Sequence, residues 1–200
     1  MDILYDYLDI LKKKVGEHLI CMEDTVEEVV DITLSSKLLL FCGNGGAGAV
    51  ASHMAGEMMK GAGIRSVCLT DNTHILTSYV NDGDPTEALA RIYDDLRLED
   101  GSALILMSGS GDSPNILRAA EVAMHYGDTV VASTGYINSK LHEMLEDYTW
   151  GISINFRLYP ADPLSMHISE ELMSALWHIV YREVHGRVGY GRRYPRKIPG

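Results

Sequence analysis

The sequence predicts a three-layer α/β/α sandwich around a five-stranded parallel sheet, and three observations carry that expectation. Short apolar runs of strand length recur along the chain. Stretches of helical periodicity separate them, the pattern of β-α-β units. Small, hydroxylated and glycine residues gather where those strands should end, the place where open parallel sheets bind ligands.

Five runs mark the strands: LLLFC ends at Cys42, SVCLT at Thr70, ALILM at Met107, TVVAS at Ser133 and WGISI at Ile154. Ahead of them Ile3, Leu4, Leu8, Leu11, Val15 and Leu19 repeat at helical spacing with acids between, predicting one long N-terminal helix as an extension of the fold. A last amphipathic helix is expected from about Ser165 to His185. Residues 1–185 therefore read as one domain, and 186–200 as a basic tail, GRVGYGRRYPRKIPG, with five basic residues and no acid. Its Gly and Pro content suits an extended segment, a solvated tail or subunit clasp rather than a nucleic-acid arm.

Two hundred residues suit one domain with a sizeable core. No window approaches 18 consecutive apolar residues, which argues against a membrane span. The start, MDILYDYLDILKKK, has no apolar signal region, so a cytoplasmic protein is expected. Cys21, Cys42 and Cys68 form no C-x-x-C and read as buried free thiols. A net charge of −11 argues against nucleic acid as a partner.

The stretch after the first strand, FCGNGGAGAVASHMAGE, is ambiguous. Gly43, Gly45 and Gly48 spell G-x-G-x-x-G, and Asp71 supplies the later acid that a dinucleotide site requires. Against an NAD-binding oxidoreductase fragment, His53 and Glu57 put two ionisable groups on one helix face, and the chain has no room for a substrate domain. His53 and Glu57 can share a metal ion, act as an acid/base pair, or form a surface ion pair.

After the third strand comes SGSGDSPN, residues 108–115. Ser113 suits an N-cap and Pro114 the first helical position. Glycines 109 and 111 let the backbone approach a ligand, and Ser108, Ser110 and Ser113 add hydroxyls. With the positive end of the helix dipole, this is an anion site of phosphate size. Asp112 carries the wrong charge for it and must point away.

The C-terminal stretch HISEELMSALWH holds His167, Glu170, Glu171 and His178. Two pairings are open: His167 with Glu171 at i, i+4, or Glu170 with His178 eight residues apart. His178, between Trp177 and Ile179, also reads as a core histidine. Glu170 and His178 are about 12 Å apart along a helix, so one ion joins them only through extended side chains or across subunits.

These motifs together resemble a sugar isomerase (SIS) domain, a Rossmann-like fold, and within it the sedoheptulose 7-phosphate isomerase, or phosphoheptose isomerase, family. GNGGAGAVASHMAGE is similar to that family's GNGGSAADAQHxAAE, LTDNTHILTSYVND to its LTxDTSxLTAxxND, and MSGSGDSPNILRA to its xSTSGNSxNVLxA. TVVASTGY and the last helix follow in order, so the likeness covers roughly residues 1–185.

The resemblance implies an aldose–ketose isomerase that converts sedoheptulose 7-phosphate to D-glycero-D-manno-heptose 7-phosphate by enediol proton transfer. It implies that Asn44, Gly45 and Gly46 hold the substrate, that Asn81 and Asp82 bind sugar hydroxyls, and that Ser108, Gly109, Ser110 and Ser113 take the phosphate. His53, Glu57, Glu170 and His178 would ligate one zinc ion per subunit. Glu57 and His178 would be the acid/base pair, with Glu57 and Glu170 also touching substrate. A homotetramer with sites at subunit interfaces is implied, and no nucleotide. Two positions depart from the family: Glu170 stands where it has Gln, and Ala47 where it has Ser. A non-catalytic branch, which binds phosphosugars or the replication initiator DnaA, lacks the helix carboxylate and the late histidine. Glu57 and His178 therefore favour an enzyme.

Overall fold

Alternation of strand and helix forces parallel pairing, and every pairing in the sheet is parallel. The structure, a computed structural model, describes residues 2–189, so positions 190–200 of the expected basic tail lie outside the described residues. The strands are β1 (Leu38–Gly43), β2 (Ser66–Cys68), β3 (Ser102–Ser108), β4 (Thr129–Tyr136) and β5 (Gly151–Leu158), in the order β2-β1-β3-β4-β5. Phe41 pairs with Cys68 on one side and Ile105 on the other. The chain leaves β1 in one direction and returns past it to β3, so the connections diverge between these two strands. That divergence opens a crevice at their carboxyl ends.

Side chains of β1 alternate between two buried layers, Leu39 and Phe41 on one face, Leu38, Leu40 and Cys42 on the other. The first layer is closed by α1 (Asp2–His18), α2 (Glu23–Ser35), α3 (Gly45–Glu57) and α8 (Ser165–Val188). The second is closed by α5 (Ala88–Leu96), α6 (Pro114–His125) and α7 (Lys140–Glu146). α4 (Thr73–Asp82) has no buried residue and leans on α5. No described helix is long and apolar enough to cross a membrane.

The expected single N-terminal helix is two helices. A straight helix of thirty-odd residues would run about 50 Å at 1.5 Å per residue and overshoot the sheet. The chain instead turns at Leu19–Met22, leaving Ile20 exposed, and α2 starts with Glu23 and Asp24 at the positive end of its dipole. The break lets Leu11 and Val15 of α1 and Val26, Val29 and Val30 of α2 pack on the same layer. β2 ends two residues before the expected Thr70, whereas β4 and β5 run beyond Ser133 and Ile154. α8 continues to Val188, three residues past the expected domain end. Of the thiols expected to be buried, Cys42 and Cys68 are, and Cys21 is exposed. Burial pushes both buried thiols up, away from the reactive thiolate.

Candidate active site

The glycines of the first loop serve close packing. A Cβ on Gly48 would lie 2.6 Å from the Gly43 carbonyl oxygen, so strand and helix meet backbone to backbone. Gly45 takes φ +54°, a left-handed turn that glycine adopts without strain. Asn44 is the N-cap of α3, yet its side chain makes no bond to the helix. Its carboxamide instead meets Asn115 of α6 in a reciprocal pair, Nδ2 of each donating to Oδ1 of the other at 2.9 and 3.0 Å. A cavity of about 480 Å³ opens beside Asn44, lined also by Gly45, Ser52, Thr70 and Asp71.

The loop after β3 is braced from within. Ser108 Oγ accepts from the Gly111 N–H at 3.0 Å and Ser110 Oγ from the Asp112 N–H at 3.2 Å. Both hydroxyls act as acceptors there, so their protons are left to donate. Ser113 is the N-cap of α6 as expected, but its side chain makes no capping bond. The Ile116 and Leu117 N–H groups at the helix start donate to the Ser113 carbonyl, both at 3.0 Å, so the Ser113 hydroxyl is not spent on capping. Asp112 does turn away: its Oδ1 accepts from the Lys140 N–H at 3.0 Å, at the start of α7. Gly111 sits at φ +72°, where a Cβ would fall 1.9 Å from Ser139 Oγ, and a Cβ on Gly109 would fall 2.2 Å from Met166 Sδ. The Gly109 carbonyl accepts from the N–H groups of Gly135 and Tyr136, both at 3.0 Å. Beneath this loop Thr134 Oγ1 is buried with no hydrogen-bond partner.

Neither pairing considered within the last helix forms; His178 pairs across to α3. His53 Nε2 and His178 Nε2 stand 3.2 Å apart, their rings tilted at 53°. Nor is His178 a core histidine: it is exposed, while its neighbour Trp177 is fully buried. The Trp177 indole N–H donates to Ser133 Oγ at 3.0 Å and the ring meets Phe41 edge-on. That anchor fixes the rotation of α8. The Ser174 carbonyl, 2.7 Å from His178 Nδ1, fixes the ring itself.

The carboxylates stand apart from this histidine pair. Glu57, half-buried and one helical turn beyond His53, makes no hydrogen bond or ion pair among the described residues. The Glu170 carboxyl lies over Gly46, where a Cβ would come within 2.3 Å of it. It therefore sits at the first turn of α3, not beside His178. Burial, then Glu171 and Glu170, push the Tyr7 phenol of α1 above its ordinary range. Among the described residues no three His, Cys, Asp or Glu side chains gather closely enough to hold a metal ion. Asn81 and Asp82 end α4, where Asn81 donates to Asp82 at 2.7 Å, and neither lines the cavity beside Asn44. The residue that sequence reasoning passed over is Asn115. It stands inside the quoted SGSGDSPN, but nothing local signals a partner 71 residues away.

The chain matches the SIS domain family over residues 6–135. A phosphoheptose isomerase from Aromatoleum aromaticum is 33% identical over 127 residues, 61% of this chain and 64% of that protein, so the match spans a little under two thirds of this relative's length. One from Methylococcus capsulatus is 33% identical over 140 residues, 66% of this chain and 71% of that protein. Among solved structures, the phosphoheptose isomerase GmhA from Neisseria gonorrhoeae superposes with a TM-score of 0.82 at 24% identity, covering 92% of this chain and 98% of that one. A phosphoheptose isomerase from Francisella tularensis gives 0.80 at 23% identity, covering 93% and 97%. The structural likeness establishes the fold, and the sequence matches place the chain within it: it belongs to the SIS-domain family, among relatives named phosphoheptose isomerase.

Proposed function

We propose that this chain is an aldose–ketose isomerase acting on a sugar phosphate, with sedoheptulose 7-phosphate as substrate and D-glycero-D-manno-heptose 7-phosphate as product. The observation that carries the reading is the His53–His178 pair. It joins α8 to the helix that the Asn44 loop opens, and the α6 loop adds serine hydroxyls at an uncapped helix end. Phosphate binds at Ser108, Gly109, Ser110 and Ser113, drawn by the hydroxyl protons and the positive end of the α6 dipole. Asn44, Gly45 and Gly46 hold the sugar. Asn81 and Asp82 contribute only if another subunit or a movement of α4 brings them to the loops.

Isomerisation moves a proton between C1 and C2. One group takes the carbon-bound proton while another trades protons with the oxygens. Glu57, whose carboxylate has no partner to surrender, suits the first task. His178 suits the second: the Ser174 carbonyl holds the proton on Nδ1, which leaves Nε2 to exchange with substrate oxygen.

The same two histidines fit zinc. A spacing of 3.2 Å is one that two nitrogens reach around a shared ion at about 2.0–2.1 Å each. A backbone carbonyl on the far ring nitrogen is the partner that ligating histidines ordinarily use. His53 and His178 would hold the ion; Glu57 and Glu170, which do not gather with the pair in this structure, would have to swing to it to act as the remaining donors. Zinc bound there supplies Lewis acidity toward the substrate carbonyl.

The reading includes a cytoplasmic homotetramer. Its support is apolar surface left open on this chain: Tyr5, Leu8 and Ile20 at the N-terminus, and a cleft of about 700 Å³ beside β2 lined by Met59, Ile75 and Leu96. Removing residues 1–30 should dissociate the assembly and abolish activity; a truncated protein that light scattering still sizes as a tetramer refutes this part.

The decisive experiment incubates the protein with sedoheptulose 7-phosphate and follows the sugar by NMR. Appearance of the aldose is expected. Binding without turnover selects a non-catalytic phosphosugar-binding protein instead, and micromolar affinity for NAD would return the dinucleotide reading.

A further inference from the structure

We infer that Asn115 is a substrate-binding residue, and that the Asn44–Asn115 carboxamide pair works as one unit that reads a vicinal diol of the open-chain sugar. The inference rests on the sugar-phosphate reading above and names the part of the substrate that the crevice recognises.

Three observations carry it. The first is position: Asn44 follows β1 and Asn115 follows the loop after β3, so the pair bridges the crevice where the connections diverge. The second is the unused cap. Asn44 occupies the N-cap of α3, where an Asn ordinarily bonds its own helix, yet it turns to a residue 71 positions away. The third is valence. A carboxamide has two N–H donors and an oxygen with two lone pairs. The reciprocal bonds at 2.9 and 3.0 Å consume one donor and one lone pair on each residue. Each edge of the doubly bonded pair therefore keeps one N–H beside one free carbonyl lone pair.

A donor and an acceptor side by side match two neighbouring hydroxyls, each of which can both donate and accept. A lone carbonyl or a phosphate, which only accepts, meets half of that pattern. The neighbouring α6 loop offers donors for phosphate, so the pair and the loop sort the two ends of one molecule. Asn44 is exposed and Asn115 half-buried, so an edge of the pair is open to ligand.

Calorimetry with sedoheptulose 7-phosphate and with inorganic phosphate tests this on wild type, Asn115→Ala and Asn115→Leu, neither of which adds a charge beside the phosphate loop. Loss of a two-bond contact should weaken the sugar phosphate about tenfold in both variants. Inorganic phosphate should bind unchanged, and KM should rise with kcat close to wild type. Thermal melts identify any variant that fails to fold, and the surviving one decides. Unchanged sugar-phosphate affinity overturns the inference, as does an equal loss for both ligands, which would mean a merely structural brace for the loops. Wild type that binds inorganic phosphate but not the sugar phosphate overturns the sugar-phosphate reading itself, a result distinct from either.

Discussion

His53 and His178 lie 125 positions apart in the chain, and their Nε2 atoms stand 3.2 Å apart in the fold. Two buried features bring them there: Trp177 locked into the sheet layer, and Gly43 and Gly48 packed backbone to backbone beneath α3.

If this pair is the heart of a zinc site, His53→Ala and His178→Ala should each lower bound zinc from one per subunit toward zero. Glu57→Gln should lose turnover even where metal remains, and Glu170→Gln, which restores the family's residue, should keep activity. Elemental analysis beside initial rates decides. Wild-type zinc and wild-type rates in all four variants would place Glu57 on a solvated helix face and end the catalytic assignment.

Two glycines close to each other in the chain should respond differently to alanine. At Gly48 the new Cβ meets the Gly43 backbone at 2.6 Å, and neither side can yield. A loss of about 1–3 kcal/mol is expected, visible as a drop of several degrees in Tm. At Gly46 it meets the end of the Glu170 side chain, which can swing aside. Gly46→Ala should melt near wild type while bound zinc and KM change. Equal losses of Tm in the two variants would contradict the placement of Glu170.

The serines of the α6 loop offer a binding test. Ser110→Ala with Ser113→Ala removes hydroxyl donors to a charged group and should weaken substrate binding by about 1–3 kcal/mol. Isotope-labelled phosphate or a substrate titration reads the change. An unaltered KM in the double variant sinks the phosphate assignment.

A pH dependence of stability is expected at His18. Burial first, then the charge of Lys14, lowers its pKa below the ordinary histidine range, and its Nε2 is buried without a partner. The fold therefore favours the neutral ring, and the unfolded chain binds the extra proton. Stability is full above the unfolded pKa of about 6.5 and is lost as pH falls below it toward the depressed folded value. Melting curves between pH 7.5 and 5 should fall less steeply for His18→Gln than for wild type. Parallel slopes would remove His18 from the account.

Much of this fold was legible because parallel strands buried on both faces are written as apolar runs, as in LLLFC and ALILM. The ends of β4 and β5 were not, since TGY and NFRL carry the turn-like and polar residues that neighbouring strands tolerate through pairing. The break at Leu19–Met22 left no signal either: LICM contains neither Gly nor Pro, and the size of the sheet sets the turn. In the candidate site, the loops announced themselves through glycine and serine density. The cross-helix partners did not. Spacing within one helix suggests His167 with Glu171, but long-range packing of α3 against α8 made His53–His178, and the meeting of the loops after β1 and β3 at the carboxyl edge of the sheet made Asn44–Asn115.

Trp177 has one more consequence. The chain has two tryptophans, and the other, Trp150, is 60% exposed. Excited together, they should emit as two populations: a red-shifted one that iodide quenches, and a blue-shifted one that it cannot reach. The second originates one residue from His178. Zinc or sugar arriving at the histidine pair should therefore register in the protected, blue-edge fluorescence, so the protein carries its own optical gauge of occupancy.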